Sequence, residues 1–288
     1  MNSGILYALL AYVSWGVIPV YWSFLHEVSA YETVCLRVIL SWIFYGILLK
    51  LRPQDLRKLS NKEKLFLLLA ALLLAINWWV YVYAINSNQV TESSLGYFIN
   101  PLMNFALGVF FLGEQLSRPK KAAVAAAVAG VAYLTWVNQS IPWIALALAI
   151  TFGVYGLLKK KISVSSLQSG YFEMLVLLPV SVISMIQFFW SHPDVFAERS
   201  WQTWALILSI GPVSGTPLLW FASAAQRMKL STLGFFQYLA PTLQFLLAMF
   251  YFHEAFDVHK AIGYALVWLG LAIVIIETAL HMGRSRKV

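Results

Sequence analysis

The chain is a succession of apolar runs, each about as long as a bilayer is thick, joined by turns too short to hold a soluble domain. A transmembrane helix needs roughly 20 mostly apolar residues at 1.5 Å each. Such runs fall near 4–24, 31–50, 65–86, 90–112, 119–138, 142–160, 166–189, 202–225, 231–252 and 260–281. Only the gaps at 52–63 and 190–200 are longer than a tight connection. Within lipid every backbone N–H and C=O needs an internal partner, so each run is expected to be a helix. The predicted fold is an all-α membrane protein with ten transmembrane helices.

The charge distribution tests that count. Of 20 Lys and Arg residues, one face of the ten-span arrangement receives Lys50, Arg52, Arg57, Lys58, Lys62 and Lys64, then Arg118, Lys120 and Lys121, then Lys159, Lys160 and Lys161. Arg227, Lys229, Arg284, Arg286 and Lys287 complete it. The other face has Arg199 and Lys260, and Arg37 lies inside a span. Basic residues mark cytoplasmic ends, so both termini are expected in the cytoplasm. One span more or fewer in mid-chain would destroy the asymmetry.

With 60% of residues hydrophobic and 11% charged, the chain lacks the polar surface of a soluble domain, where roughly a quarter are charged. The formal net charge of +8 does not point to nucleic acid, because the basic residues sit in gaps rather than along one element. Cys35 is the sole cysteine, which excludes an intramolecular disulfide and a cysteine-held metal. His253, Glu254 and His259 lack metalloprotease spacing, and no Gly-rich phosphate loop is present. No metal or other cofactor is expected. Met1-Asn2-Ser3-Gly4 offers no positive segment ahead of the first run, which therefore reads as a permanent span.

Sliding the chain on itself by 140 residues aligns Pro101 with Pro241, Asn104 with Gln244, Glu114 with Glu254, Lys120 with Lys260 and Gly130 with Gly270. Trp15-Gly16 meets Tyr155-Gly156 at the same offset. Residues 1–140 and 141–288 thus read as two copies of a five-span unit. Five is odd, so the second copy enters the membrane upside down. Inverted repeats of this kind place the solute site near the midplane, between the halves.

The segments Leu95-Gly96-Tyr97-Phe98-Ile99-Asn100-Pro101, Phe111-Leu112-Gly113-Glu114 and Leu230-Ser231-Thr232-Leu233-Gly234-Phe235-Phe236-Gln237-Tyr238, with Pro241-Thr242, resemble the drug/metabolite transporter superfamily, EamA type, in its RarD branch. Ala11-Tyr12, Trp15-Gly16 and Asn77-Trp78 fit too, and the likeness runs through nearly the whole chain. His253 departs from it, standing where the first repeat has Gly113. The resemblance implies ten helices around a central cavity lined mainly by spans 1, 3, 4, 6, 8 and 9. It also implies export or exchange of metabolites, amino acids or drugs across a bacterial inner membrane.

The residues supply candidates for that cavity. Tyr97, Asn100, Pro101 and Asn104 follow i, i+3, i+4, i+7 and share a helical face. Gln237, Tyr238, Pro241 and Gln244 repeat the arrangement. Proline lacks an N–H, so Pro101 and Pro241 each free the carbonyl four residues back, at Tyr97 and Gln237, and kink the helix. The competing reading is that the amides bond across helices as packing contacts. Asn77, Trp78, Trp15 and Tyr155 are further candidate wall residues.

Arg37 and Glu173 are the ionisable residues read inside spans, where a charge is costly and so usually functional or paired. Arg37 would bind a substrate carboxylate, snorkel, or pair with Glu32. Glu173 would carry a proton, with protons the candidate coupling ion, or be structural. Their depths, measured from opposite surfaces, do not favour a direct bridge. Ala122, Ala126 and Gly130 form a small-residue packing face, and either a monomer or a homodimer is compatible with it.

The expected function is a non-enzymatic secondary transporter of small organic solutes, its partners being that solute and the lipid bilayer. The alternatives are a membrane enzyme, for which the catalytic cluster is missing, and a receptor or scaffold, which would have a packed, dry centre.

Overall fold

The computed structural model describes residues 3–51, 57–87, 90–138, 143–195 and 199–251, with 253, 258–259, 261–262, 265–266, 268–270, 272–273 and 276–277 of the last run. Every regular element among them is a helix: α1 (Ser3–Ser23), α2 (Ala30–Leu51), α3 (Asn61–Asn86), α4 (Val90–Leu112), α5 (Arg118–Asn138), α6 (Trp143–Lys161), α7 (Ser166–Ser191), α8 (Trp201–Arg227), α9 (Leu230–Gln237) and α10 (Leu239–Phe250). The described residues from 258 to 277 are helical as well. Seven helices, α1 to α3 and α5 to α8, are long and apolar enough to cross a membrane. Arg52, Glu254, Lys260, Arg284, Arg286 and Lys287, used above for orientation and the repeat, lie outside the described residues.

The helix starts follow local capping. Ser29 and Glu32 form a reciprocal box: Glu32 N–H donates to Ser29 Oγ at 3.2 Å, and Ser29 N–H to Glu32 Oε2 at 3.1 Å. Ser60 and Glu63 repeat it at 3.3 and 3.0 Å, so α3 starts four residues ahead of its apolar run. Each box satisfies two N–H groups that a helix start leaves free. Tryptophans near helix ends, Trp136, Trp190 and Trp201, are at least 72% exposed on an apolar exterior, as interfacial residues are.

The ninth apolar run is broken where the fourth is not. Pro101 sits inside a continuous α4. In the other run the chain breaks at Tyr238, whose N–H turns to Phe235 O at 3.3 Å. Pro241 has no N–H for the Gln237 carbonyl, which removes the bond that would have held the two segments in line.

The packing has an exchange pattern. α1 packs against α8 and against α9–α10, while α6 packs against α3 and α4. α2 faces α7, and it also packs on α8 as α7 does on α3. The α2–α8 approach is close: a Cβ at Gly211 would lie 2.5 Å from the Leu40 carbonyl oxygen.

The two ends of the bundle differ in charge. One end joins the lysine-rich connections. Lys160 Nζ donates to Met228 O at 2.6 Å, Gln168 Nε2 to Arg57 O at 2.8 Å, and Lys120 Nζ to Thr232 Oγ1 at 3.2 Å. The Arg227 guanidinium lies 5.1 Å from the Tyr7 ring centre. At the opposite end Arg199 donates twice to Glu32, both at 2.9 Å.

Candidate functional site

A cavity of about 350 Å³ lies in the half of the bundle away from the lysine-rich end. Tyr12, Trp15, Pro19 and Trp22 line it from α1, Arg37 from α2, and Asn77, Trp78 and Tyr81 from α3. Gly96, Tyr97 and Asn100 come from α4, Leu148 and Phe152 from α6, Leu218 from α8, Gln237 from α9, and Ala240 and Gln244 from α10. Pockets for small molecules typically occupy about 300–1,000 Å³ with aromatic walls and a few placed polar groups. This one has that make-up at the small end of the range.

The polar groups are held in place. Asn77 Nδ2 donates to Leu148 O at 3.0 Å and to Thr151 Oγ1 at 2.9 Å, which fixes α3 against α6. Gln244 Nε2 donates to Trp15 O at 3.0 Å, tying α10 to α1. Asn104 stands behind the wall, fully buried, and its Nδ2 donates to Gln237 Oε1 at 2.7 Å. Asn100 Oδ1 and the Tyr12 hydroxyl are buried without a hydrogen-bond partner among the described residues.

Arg37 enters the cavity one to two turns into α2. Its guanidinium carbon lies 4.2 Å from the Trp78 ring centre and 5.9 Å from that of Trp22. Stacking of this kind contributes about 0.5–2 kcal/mol and supplies no hydrogen-bond acceptor. Its Nε is buried without an acceptor, and no carboxylate lies in ion-pair range among the described residues. Glu32, a candidate partner by sequence, is taken by Arg199.

Glu173 is not in the lining. It sits between α6 and α7, 1% exposed, with Lys159 Nζ 2.7 Å from its Oε1 and the Tyr155 hydroxyl donating to its Oε2 at 3.1 Å. Ser169 Oγ donates to Oε1 at 3.1 Å and also accepts from Lys159. Tyr155 therefore faces this buried pair rather than the cavity. Tyr238 is buried too, its hydroxyl donating to Phe98 O at 3.3 Å.

Between the cavity and the lysine-rich end, buried and half-buried side chains tie the helices together. Glu114 accepts the N–H groups of Leu230 at 2.7 Å and Ser231 at 2.9 Å, standing in for the missing side-chain cap of α9. Gly113, at φ +63°, makes the turn that brings Glu114 back; only glycine adopts that angle freely. Gln226 Nε2 donates to Val164 O at 3.0 Å and Ile162 O at 3.2 Å, closing α8 onto the α6–α7 turn.

Of the residues the sequence proposed, the cavity gathers Trp15, Asn77, Trp78, Tyr97, Asn100, Gln237, Gln244 and Arg37. It leaves Asn104, Tyr155, Tyr238 and Glu173 behind its wall. Sequence reasoning missed Tyr12, Trp22 and Tyr81 as wall residues and Lys159 as a buried charge. Tyr12, Trp15, Pro19 and Trp22 are spaced three, four and three apart, a one-face pattern. Lys159 follows Tyr155 by one turn, the only lysine of its run on that face.

Apolar helices crossing a bilayer around a hollow with amide, phenol and guanidinium groups have the architecture of a membrane transporter. The chain belongs to the EamA-like transporter family, whose profile matches residues 2–136 and again residues 139–276. Within it the chain falls in the RarD branch of the drug/metabolite transporter superfamily. It is 41% identical to "Protein RarD" of Salmonella typhi, covering 99% of this chain and 98% of that protein. It is 42% identical to a Vibrio cholerae protein named "Uncharacterized transporter", covering 96% and 93%. A solved protein crystal structure, 20% identical, superposes with a TM-score of 0.69 over 94% of this chain and 97% of that one, a likeness of fold. The chain is a multi-pass protein of the bacterial inner membrane.

Proposed function

We propose that this protein is a secondary carrier of small organic solutes, by efflux or exchange, working by alternating access about the cavity between two inverted five-helix halves. The single observation that carries the reading is who lines the cavity. At the 140-residue offset, Tyr12 pairs with Phe152, Trp78 with Leu218, Tyr97 with Gln237, and Asn100 with Ala240, and all eight border the same hollow. A wall drawn from equivalent positions of two copies is what an inverted-repeat carrier requires. The doubled family match and the exchange pattern of helix packing support it.

The cavity lies toward the end expected to face outward, and the contacts of Glu114 with Leu230 and Ser231, of Lys120 with Thr232 and of Gln168 with Arg57 join the two halves at the other end. Rocking of the halves would part those contacts and open the site to the cytoplasm, with both termini on that side. Protons remain the candidate coupling ion, with Glu173 the candidate carrier. A receptor with a dry centre is disfavoured by the hollow itself.

Counterflow in proteoliposomes tests the reading. Vesicles loaded with a transported solute should take up labelled solute without an imposed gradient. Failure with every member of a broad panel of metabolites and drugs would remove it.

A further inference from the structure

The cavity holds a cation, and no described lining residue neutralises it. Among the described lining residues Arg37 alone is charged. Its guanidinium lies over the Trp78 ring, which supplies attraction but no hydrogen-bond acceptor. Its Nε has no acceptor either, and the three ion pairs formed by described residues all use other cations.

Two other deep charges of the bundle are met by ions of opposite sign. Lys159 meets Glu173, and Glu32 takes both arms of Arg199. An arginine with no counter-ion among the described residues, at the wall of a cavity in a bundle that pairs Lys159 with Glu173 and Arg199 with Glu32, is a place kept for an anion. Guanidinium matches a planar carboxylate with two parallel N–H donors. A doubly charged phosphate would call for a second cation, and the described lining offers none.

The rest of the wall describes the remainder of the ligand. Trp15 and Phe152 meet edge to face at 5.7 Å, and with Trp78 and Leu218 they present apolar surface. Asn100, Gln237 and Gln244 add neutral amides to that wall.

We infer that the site selects monocarboxylates with an apolar or aromatic body, the carboxylate docked on Arg37 and the body held among Trp15, Trp78 and Phe152. Transport of the bound acid rests on the carrier reading above; the anion site itself does not.

The test uses the purified full-length protein, with intrinsic tryptophan fluorescence as readout because Trp78 lies against the guanidinium. Aliphatic and aromatic monocarboxylates are titrated beside their primary amides, which keep the shape and lose the charge. The expected result is at least about tenfold tighter binding of the best acids than of their amides. That preference should vanish in Arg37→Gln and persist, weakened, in Arg37→Lys, which keeps the charge but not the fork.

Acids and amides binding alike to the unaltered protein would overturn the inference, even if neither variant folds. So would an acid preference that survives in Arg37→Gln. Inorganic phosphate outcompeting every carboxylate would overturn the carboxylate assignment. Phosphatidylglycerol quenching through Arg37 while soluble acids do not would do the same.

Proteoliposome uptake separates this from the carrier reading. Acid-selective binding without transport retains the anion site and removes the carrier. Transport without acid preference does the reverse.

Discussion

Asn104 on α4 donates its side-chain N–H to Gln237 Oε1 on α9 at 2.7 Å, joining the two sequence halves through one amide pair directly behind the cavity wall. The repeat pairs Asn104 with Gln244 by position, but in space its partner is Gln237, one break and two turns earlier. This bond aims the Gln237 side chain, which is the part of the pair that reaches the cavity.

Asn104→Ala should therefore act twice. A buried acceptor left without its donor costs about 1–3 kcal/mol, lowering the melting temperature of the purified protein. Gln237 would also lose its orientation, so uptake should slow beyond what the loss of folded protein explains. Equal uptake per folded molecule would show that the bond only packs helices.

Gln244→Ala tests the other amide. Its donation to Trp15 O is partly buried, and the backbone carbonyl freed by the change keeps its place in α1. The loss of stability should be smaller, about 0.5–1.5 kcal/mol. The larger effect should appear in transport, as a raised half-saturation concentration, because Gln244 borders the cavity where Asn104 does not.

The spans were legible because lipid imposes one rule on every segment: apolar, helical, about 20 residues. α1, α2 and α4 to α8 begin and end within about two residues of their apolar runs. α3 escaped that rule because its start is polar, and the Ser60–Glu63 box rather than hydropathy fixes it. The break at Tyr238 was half legible. Pro101 and Pro241 look alike in sequence, and only packing decides which helix stays continuous. The site was legible by face, so Tyr97 and Asn100 were found together. Face says nothing of depth behind the wall, which is why Asn104 was grouped with them; Tyr155 entered as the repeat mate of Trp15, and Tyr238 as the neighbour of Gln237. Lys159 was hidden for another reason: in a run of three lysines at a span end, orientation marks all of them as surface charge.

The α2–α8 crossing gives a steric prediction. At Gly211 an added methyl would meet the Leu40 carbonyl oxygen at 2.5 Å, a backbone atom rather than the end of a flexible side chain that could yield. Gly211→Ala should destabilise by about 1–3 kcal/mol, or push α2 away from α8 and carry Arg37 with it. Thermal melting measures the first effect. Loss of the Arg37-dependent fluorescence response in protein that remains folded measures the second.

Glu114 closes the end of the bundle that the cavity does not reach. Its carboxylate accepts two N–H groups at the start of α9, where a negative charge also meets the positive end of the helix dipole. Glu114→Ala removes both and should cost about 0.5–2 kcal/mol. Glu114→Gln keeps one acceptor without the charge and should recover part of it. If this contact helps hold the lysine-rich end shut, Glu114→Ala should also raise the labelling rate of a cysteine placed at Leu230. An unchanged rate in the folded variant would confine Glu114 to capping.

The Lys159–Glu173 pair separates a structural carboxylate from a coupling one. Both side chains are 1% exposed, so removing either partner leaves an uncompensated buried charge, a loss of about 3–5 kcal/mol. Lys159→Met and Glu173→Gln should each melt well below the parent protein or fail to accumulate. Removing both charges together restores neutrality, and the Lys159→Met/Glu173→Gln double variant should recover most of that loss. Its transport then discriminates. Counterflow needs no net proton movement and should persist if the cavity is intact. Accumulation driven by an imposed pH gradient should disappear if Glu173 carries the coupled proton. Gradient-driven accumulation that survives in the double variant would leave the pair as a tie between α6 and α7 and move proton coupling to another group.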